Sequence, residues 1–190
     1  MSRITLTALL LTGGLSRRMG TDKATLLVNG EPLWSRQLRT LRELKPATLA
    51  VSARTRPSWC PSDAAVILDG DTSRGPLSGL AAALASLQTT HLLALAVDLP
   101  RMTSEHLKTL CALGRPGCGV VPVRGNRFEP LCAVYPVEAS PQAVAALNSD
   151  DASLQSFIRT LETAGQTQPF SVATVDDPLY HNLNTPTDLG

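Results

Sequence analysis

Apolar runs of strand length alternate along this chain with longer stretches whose apolar residues recur at helical spacing. Residues 4–11 (ITLTALLL) are almost continuously apolar, which predicts a strand covered on both faces rather than one facing water. Residues 32–44 place Leu33, Trp34, Leu38, Leu41 and Leu44 on one side of a helix, with Pro32 suited to its first turn. Residues 49–53 and 64–68 predict short strands, 77–87 an Ala/Leu-rich helix, and 91–97 a further buried strand. A helix follows to about Leu113, capped by Thr103 or Ser104. Residues 120–123 and 130–135 are β-like, and residues 141–147 and 153–161 are helical. Residues 170–175 predict a last strand, and Thr185-Pro186-Thr187-Asp188 opens a closing helix. The stretch 54–63 (RTRPSWCPSD) is the clearest loop.

Strand-then-helix alternation implies right-handed βαβ units, and so an α/β fold with a mostly parallel sheet and helices on both faces. The 190 residues suit one domain. With 43% hydrophobic and 17% charged residues, the chain has the apolar content of a packed core and not the charge of a disordered segment. Seventeen Lys and Arg against sixteen Asp and Glu leave a net charge of +1. That balance argues against a general nucleic-acid or membrane-surface binder, both of which need excess positive charge.

The first apolar run is too short to span a bilayer. Arg17 and Arg18 follow it, the reverse of a twin-arginine export signal, and no small-residue cleavage pattern is present. Cys60, Cys111, Cys118 and Cys132 form no C-x-x-C pair and have no histidine at zinc spacing. They are expected to be reduced packing thiols in a cytoplasmic protein.

In open parallel sheets ligands bind beyond the carboxyl ends of the strands, where the strand order reverses. The first strand runs into Thr12-Gly13-Gly14-Leu15-Ser16-Arg17-Arg18-Met19-Gly20-Thr21-Asp22-Lys23. Adjacent glycines let backbone N–H groups approach a ligand, and Arg17, Arg18 and Lys23 supply three cations within seven residues. The string describes an anion cradle suited to a triphosphate. It is neither a Walker A loop nor a G-x-G-x-x-G dinucleotide fingerprint. Asp98 follows the buried run 92–97 and precedes Pro100, a position suited either to Mg²⁺ or to a simple turn. Asp69, with Asp71 as its competitor, ends another strand, where a carboxylate can accept from a ribose or base or cap a turn.

The string Leu11-x-Gly13-Gly14-x-Ser16-x-Arg18-Met19-Gly20-x-Asp22-Lys23 resembles the opening motif of the molybdenum cofactor guanylyltransferases. Asn29-Gly30-Glu31-Pro32-Leu33, Asp69 ahead of Gly75-Pro76-Leu77-Ser78-Gly79, Val97-Asp98-Leu99-Pro100 and Asn182-Leu183-Asn184-Thr185-Pro186 extend the similarity over nearly the whole chain. The resemblance implies a three-layer, Rossmann-like nucleotidyltransferase fold in a single domain spanning residues 1–190. The N-terminal part would bind nucleotide and the C-terminal part would contribute the acceptor site. It implies transfer of GMP from GTP to molybdopterin or Mo-molybdopterin, with release of pyrophosphate and formation of the guanine dinucleotide cofactor.

On this resemblance Leu11, Thr12, Gly13, Gly14, Lys23, Ser52, Asp69 and Asp98 bind GTP. Arg18, Lys23 and Asp98 are catalytic, and Asp98 holds Mg²⁺. Thr12 stands where the family has alanine, which would put a hydroxyl near the nucleotide. Ser52 replaces a frequent asparagine and is expected to reach a base edge. Asn182 and Asn184, two residues apart in an extended segment, would turn their amides into one cleft for the acceptor, or else cap the helix that follows. Relatives carry arginines near Ser153; here the segment is Asp150-Asp151-Ala152-Ser153, leaving Arg127 or Arg159 to substitute. Cofactor delivery proteins and apoenzymes are the implied partners. Two other readings stay open: a cytidylyl-transferring relative, against which Gly13-Gly14 and Asp22-Lys23 speak, and a non-catalytic nucleotide-binding delivery partner, for which Lys23 and Asp98 would be superfluous.

Overall fold

The computed structural model describes residues 4–12, 23–69 and 74–183. Gly13, Gly14, Arg18, Asp71 and Asn184, together with the closing helix expected from Thr185, lie outside the described residues. Among the described residues, ten strands and five α-helices follow the chain as β1 (Leu6–Leu11), β2 (Leu27–Val28), β3 (Glu31–Pro32), α1 (Leu33–Arg42), β4 (Thr48–Ala53), β5 (Ala65–Leu68), α2 (Pro76–Ala85), β6 (His91–Ala96), α3 (Ser104–Leu113), β7 (Gly119–Arg124), β8 (Arg127–Phe128), β9 (Cys132–Pro136), α4 (Ser140–Leu147), α5 (Leu154–Thr163) and β10 (Thr167–Ser171).

One sheet holds the main strands in the order β5-β4-β1-β6-β9-β7-β10, with β8 paired to β7. Pairings of β1 with β4 and β6, of β4 with β5 and of β7 with β10 are parallel. Strand β9 runs antiparallel between β6 and β7. The chain steps outward from β1 through β4 to β5, then returns to place β6 on the other side of β1. The order therefore reverses between β1 and β6, the position at which such sheets bind ligands.

Alternation along the strands divides the core into two. Leu10, Leu93 and Leu95 face α1 and α3 with Leu33, Leu38, Leu41, Leu107 and Leu110. Leu9, Leu92 and Tyr135 face α2, α4 and α5 with Leu77, Leu80, Leu84, Phe157, Ile158 and Leu161. Because successive side chains of β1 enter opposite layers, its sequence shows no alternation. Each such fully buried leucine contributes about 1.5–3 kcal/mol relative to exposure.

Several elements differ from the sequence reading. The last strand occupies Thr167–Ser171, not 170–175, and residues Thr174–Tyr180 form a 3₁₀ turn instead. Pro32 precedes α1 as its N-cap, in extended conformation, rather than opening its first turn. The hairpin of β2 and β3 was not foreseen. Asn29 and Gly30, at φ +53° and +81°, form its two-residue turn, which requires positive φ at both positions. At α3 the cap left open between Thr103 and Ser104 is Thr103, whose hydroxyl accepts from the His106 N–H.

Candidate active site

Three distant parts of the chain meet at the reversal point. Lys23 begins the 3₁₀ turn Lys23–Thr25, Asp98 follows β6, and Leu183 lies in the C-terminal segment. The Lys23 ammonium donates to Asp98 Oδ2 at 3.3 Å and to the Leu183 carbonyl at 3.2 Å. The Leu183 N–H donates to the Asp98 carbonyl at 2.8 Å. Lys23 and Asp98 are each about one-fifth exposed, so their contact is partly shielded but reachable by a ligand.

The Asp98 loop is buttressed from α1. Arg36 donates through Nε to the Pro100 carbonyl at 2.7 Å, and the Gln37 amide donates to the Leu99 carbonyl at 2.5 Å. Gln37 is fully buried beside the leucines of α1. Its sequence signal was a polar residue four positions after Leu33 in an otherwise apolar stripe; it went unread.

On the β4–β5 side the structure gives three of the expected nucleotide contacts specific surroundings. Leu11 is buried, and its carbonyl accepts from Val97 N–H, closing β1 against the end of β6. The Thr12 hydroxyl does not point at open space: it donates to the Ser52 carbonyl at 2.7 Å, while Thr12 N–H donates to the same oxygen. Ser52 differs from its expectation as well. It is 1% exposed and donates its hydroxyl to Asp69 Oδ1, so it orients that carboxylate and does not reach outward to a base. Space for this pair exists because residue 79 is glycine: a Cβ there would collide with Ser52 Oγ and stand 3.1 Å from Asp69 Oδ1. Gly75 at φ +71° turns the chain into α2 with Pro76 in the first turn.

On the other side of Asp98 opens a cleft of about 810 Å³, lined by Asp98, Arg124, Arg127, Phe128, Glu129, Leu131, Gln155, Tyr180, His181 and Asn182 among others. Arg124 is committed to protein partners. It donates to Asp177 at 3.0 Å, to Glu129 at 3.1 Å and to the Tyr180 carbonyl at 3.4 Å, and lies over the Tyr180 ring. Burial pushes the Glu129 carboxyl above its ordinary range, and Arg124 pulls it back. Asn182 is exposed at the cleft edge; its expected companion Asn184 is outside the described residues. Arg127 faces this cleft and Arg159 is not among its lining residues. The β7–β8 hairpin that carries Arg127 was missed, though Gly125-Asn126 between Val123 and Phe128 is a two-residue hairpin signal.

Among the described residues no group of three or more His, Cys, Asp or Glu could enclose a metal. Mg²⁺ does not need one, since it keeps several waters and binds through one or two carboxylates plus substrate phosphates. Asp98 fits that pattern, because its Oδ1 has no hydrogen-bond partner among the described residues. No helix of the described residues is long and apolar enough to cross a membrane. Cys118 and Cys132 are buried, and burial drives the Cys111 thiol up to about 12, consistent with packing thiols.

A knot of lysine, aspartate and C-terminal backbone at a reversal point, with the hydrogen-bonded Thr12, Ser52 and Asp69 on one side and a cleft on the other, suits two anionic reactants meeting at a central lysine and a carboxylate able to hold a cation. The model of the MobA-like NTP transferase domain matches residues 8–181 of this sequence. The chain belongs to that family. It is 34% identical to the molybdenum cofactor guanylyltransferase of Pseudomonas fluorescens, over 94% of this chain and 88% of the relative. It is 32% identical to that of Cereibacter sphaeroides, over 95% and 92%. Among solved structures, molybdopterin-guanine dinucleotide biosynthesis protein A from Archaeoglobus fulgidus superposes with a TM-score of 0.71 at 22% identity, over 96% of this chain and 94% of that one. That likeness establishes a shared nucleotidyltransferase fold of Rossmann type. As a MobA-like NTP transferase, the chain is a nucleotidyltransferase enzyme, and the non-catalytic binding reading falls away.

Proposed function

We propose that this protein transfers GMP from GTP to molybdopterin, working as one unit with the nucleotide bound on the β4–β5 side of Asp98 and the acceptor on the cleft side. The observation that carries this arrangement is the joining of Lys23, Asp98 and Leu183 between the two sides. An acceptor phosphate oxygen attacks the α-phosphorus of GTP. A new P–O bond forms as the bond to the β-phosphate breaks, and pyrophosphate leaves. Both reactants are anions, so alignment and neutralisation of charge lower the barrier.

Lys23 supplies that neutralisation in this reading. Among the described residues its ammonium is held by Asp98 and Leu183, with a third proton left for a phosphate oxygen. Asp98 holds Mg²⁺, which supplies Lewis-acid polarisation of the α-phosphate when bound. Gly13, Gly14 and Arg18 belong to the triphosphate cradle by the family resemblance. Asp69, oriented by Ser52, presents its second carboxylate oxygen to the nucleoside. Ser52 thereby serves the nucleotide through Asp69 and not by direct contact.

The test is turnover by the purified protein. With molybdopterin, GTP and Mg²⁺, pyrophosphate and a guanine dinucleotide should form together, and chelation of the metal should stop both. Faster turnover with CTP than with GTP would replace this reading with the cytidylyl-transferring one. Absence of pyrophosphate release with any nucleotide would overturn it.

A further inference from the structure

The hairpin of β7 and β8 turns at Gly125-Asn126 and carries Arg127 to the wall of the cleft. Arg127 is exposed, and its guanidinium makes no hydrogen bond or ion pair among the described residues. Arg124, the other cation lining the cleft, is already bonded to Asp177 and Glu129. Among the described residues, a dianionic ligand entering the cleft therefore finds in Arg127 a cation whose hydrogen-bond donors are uncommitted, with the Glu129 carboxylate a nearby opposing charge.

An uncommitted arginine next to a two-residue turn is worth little as a binding group unless its backbone is fixed, because ordering it on binding costs entropy. Beyond the ladder with β7, the backbone here is held by one side chain from another element. Gln155, in the first turn of α5, accepts from the Phe128 N–H at 3.1 Å and donates to the Phe128 carbonyl at 2.9 Å. In the ladder Arg127 pairs with Arg124 and Phe128 stands opposite Val123. The Phe128 backbone groups that meet Gln155 point away from β7, and an unpaired edge there would leave two polar groups seeking partners. The glutamine amide takes the place of a neighbouring strand. It locks the residue next to Arg127 onto the wall of the same cleft that Gln155 also lines.

We infer that Arg127 binds the phosphate end of the acceptor and that Gln155 is its positioning residue, acting through the Phe128 backbone. This inference rests on the acceptor occupying the cleft, as proposed above. The ligand class is a phosphate monoester joined to a flat heterocycle. Phe128 and Leu131 offer apolar surface for the ring, and Arg127 offers paired N–H donors for the phosphate.

Steady-state kinetics with molybdopterin as the varied substrate test it. Arg127→Ala should raise the molybdopterin KM about tenfold or more, the loss of a charge-assisted hydrogen bond, with the KM for GTP unchanged. Arg127→Lys should recover part of the loss, since the charge returns without the planar fork. Gln155→Ala should raise the same KM about threefold to fivefold through the disordered hairpin. Gln155→Glu, which still accepts from Phe128 N–H, should lie between it and the wild type. The deciding measurement is the Arg127→Ala/Gln155→Ala double variant. If Gln155 acts only through Arg127, the double variant binds acceptor no worse than Arg127→Ala alone. Additive losses, or an Arg127→Ala protein with normal molybdopterin KM, would overturn the inference while leaving the reaction itself standing. A wild-type protein that forms no dinucleotide would instead sink the functional reading beneath it, and this inference with it.

Discussion

The two sides of Asp98 are built differently. The β4–β5 side is short-ranged and closed: Thr12, Ser52, Asp69 and Gly79 interlock through hydrogen bonds between adjacent parallel strands and the start of one helix. The cleft side is assembled from afar, with β7, β8, the loop before β9, α5 and the Thr174–Tyr180 turn each giving one to three residues. A pocket made by neighbouring strand ends is rigid at little entropic cost, because the sheet already orders its walls. A cleft made from separate pieces needs tethers, and Gln155, Arg124 and His106 provide them. On the proposed function, nucleotide recognition would be a property of the sheet and acceptor recognition a property of the attachments to it.

Substitutions at the centre should strike both sides equally. Lys23 bonds both Asp98 and Leu183 of the C-terminal segment. Lys23→Ala should cost about 3 kcal/mol of transition-state stabilisation, roughly a hundredfold in kcat. Steady-state rates of a variant with unaltered circular dichroism check this; a rate within threefold of wild type would remove Lys23 from the chemistry.

A substitution confined to the closed side comes next. Gly79→Ala drives a methyl group into Ser52 Oγ, with Leu11 Cδ2 3.2 Å away on the other flank. Both neighbours are buried, so relief requires Ser52 to turn its hydroxyl off Asp69 or β1 or β4 to move. The expected loss of stability is about 1–3 kcal/mol, measured by urea unfolding. Asp69 should lose its orientation at the same time, raising the KM for GTP while the acceptor KM stays near its normal value. Equal shifts in both would mean that the two sides are not separable.

This division also explains what could be read from the sequence. Strand ends and the glycine-rich and aspartate motifs are contiguous strings, so the α/β alternation and the candidate residues Lys23, Ser52, Asp69 and Asp98 were visible before any fold was known. The direction in which a side chain turns was not. Thr12 and Ser52 occupy loop-facing positions in the string, yet both spend their hydroxyls on the sheet, because the adjacent strand offers a buried carbonyl and a carboxylate at bonding distance. The cleft was least legible. Gln155 and Phe128 are 27 positions apart, and their mutual bonds exist only once α5 packs across the hairpin. The stretch after Ser171 reads as strand from its Val172 and Val175, but Asp176-Asp177-Pro178 turns it into a 3₁₀ segment that brings Tyr180 back to α3.

A smaller effect is expected at the cleft rim. Asn182 is exposed and lines the cleft, so Asn182→Ala removes polar contacts without leaving a buried group unsatisfied. The acceptor KM should rise a few-fold, the equivalent of about 1 kcal/mol for one neutral hydrogen bond, and the GTP KM should not change. Paired titrations with GTP and molybdopterin make the comparison; a larger loss for GTP would move Asn182 to the nucleotide side.

The smallest effect tests whether the attachments are the weaker part of the fold. His106 is buried in α3, bonded through Nε2 to the Tyr180 hydroxyl at 2.7 Å, with Asp176 3.9 Å from Nδ1 and the Phe170 ring packed edge-on. Burial lowers its pKa from 6.5, and Asp176 opposes the shift without cancelling it. A histidine harder to protonate when folded binds more protons in the unfolded chain. Its contribution to stability is therefore complete above pH 6.5 and is lost as pH falls below that value toward the depressed folded pKa. Thermal unfolding of the wild type should show a modest decline in Tm on that descent, and His106→Gln should remove it from the difference between the two profiles. Asp176→Asn withdraws a facing charge that favours the imidazolium, so its decline should be steeper. Once protonated, His106 Nε2 can only donate to the Tyr180 hydroxyl, which should shift Tyr180, a residue of the cleft and not of the Ser52–Asp69 cluster. Below pH 6.5 the molybdopterin KM of the wild type should consequently rise before the GTP KM does. If the two rise together, the attachments are no looser than the sheet that carries them.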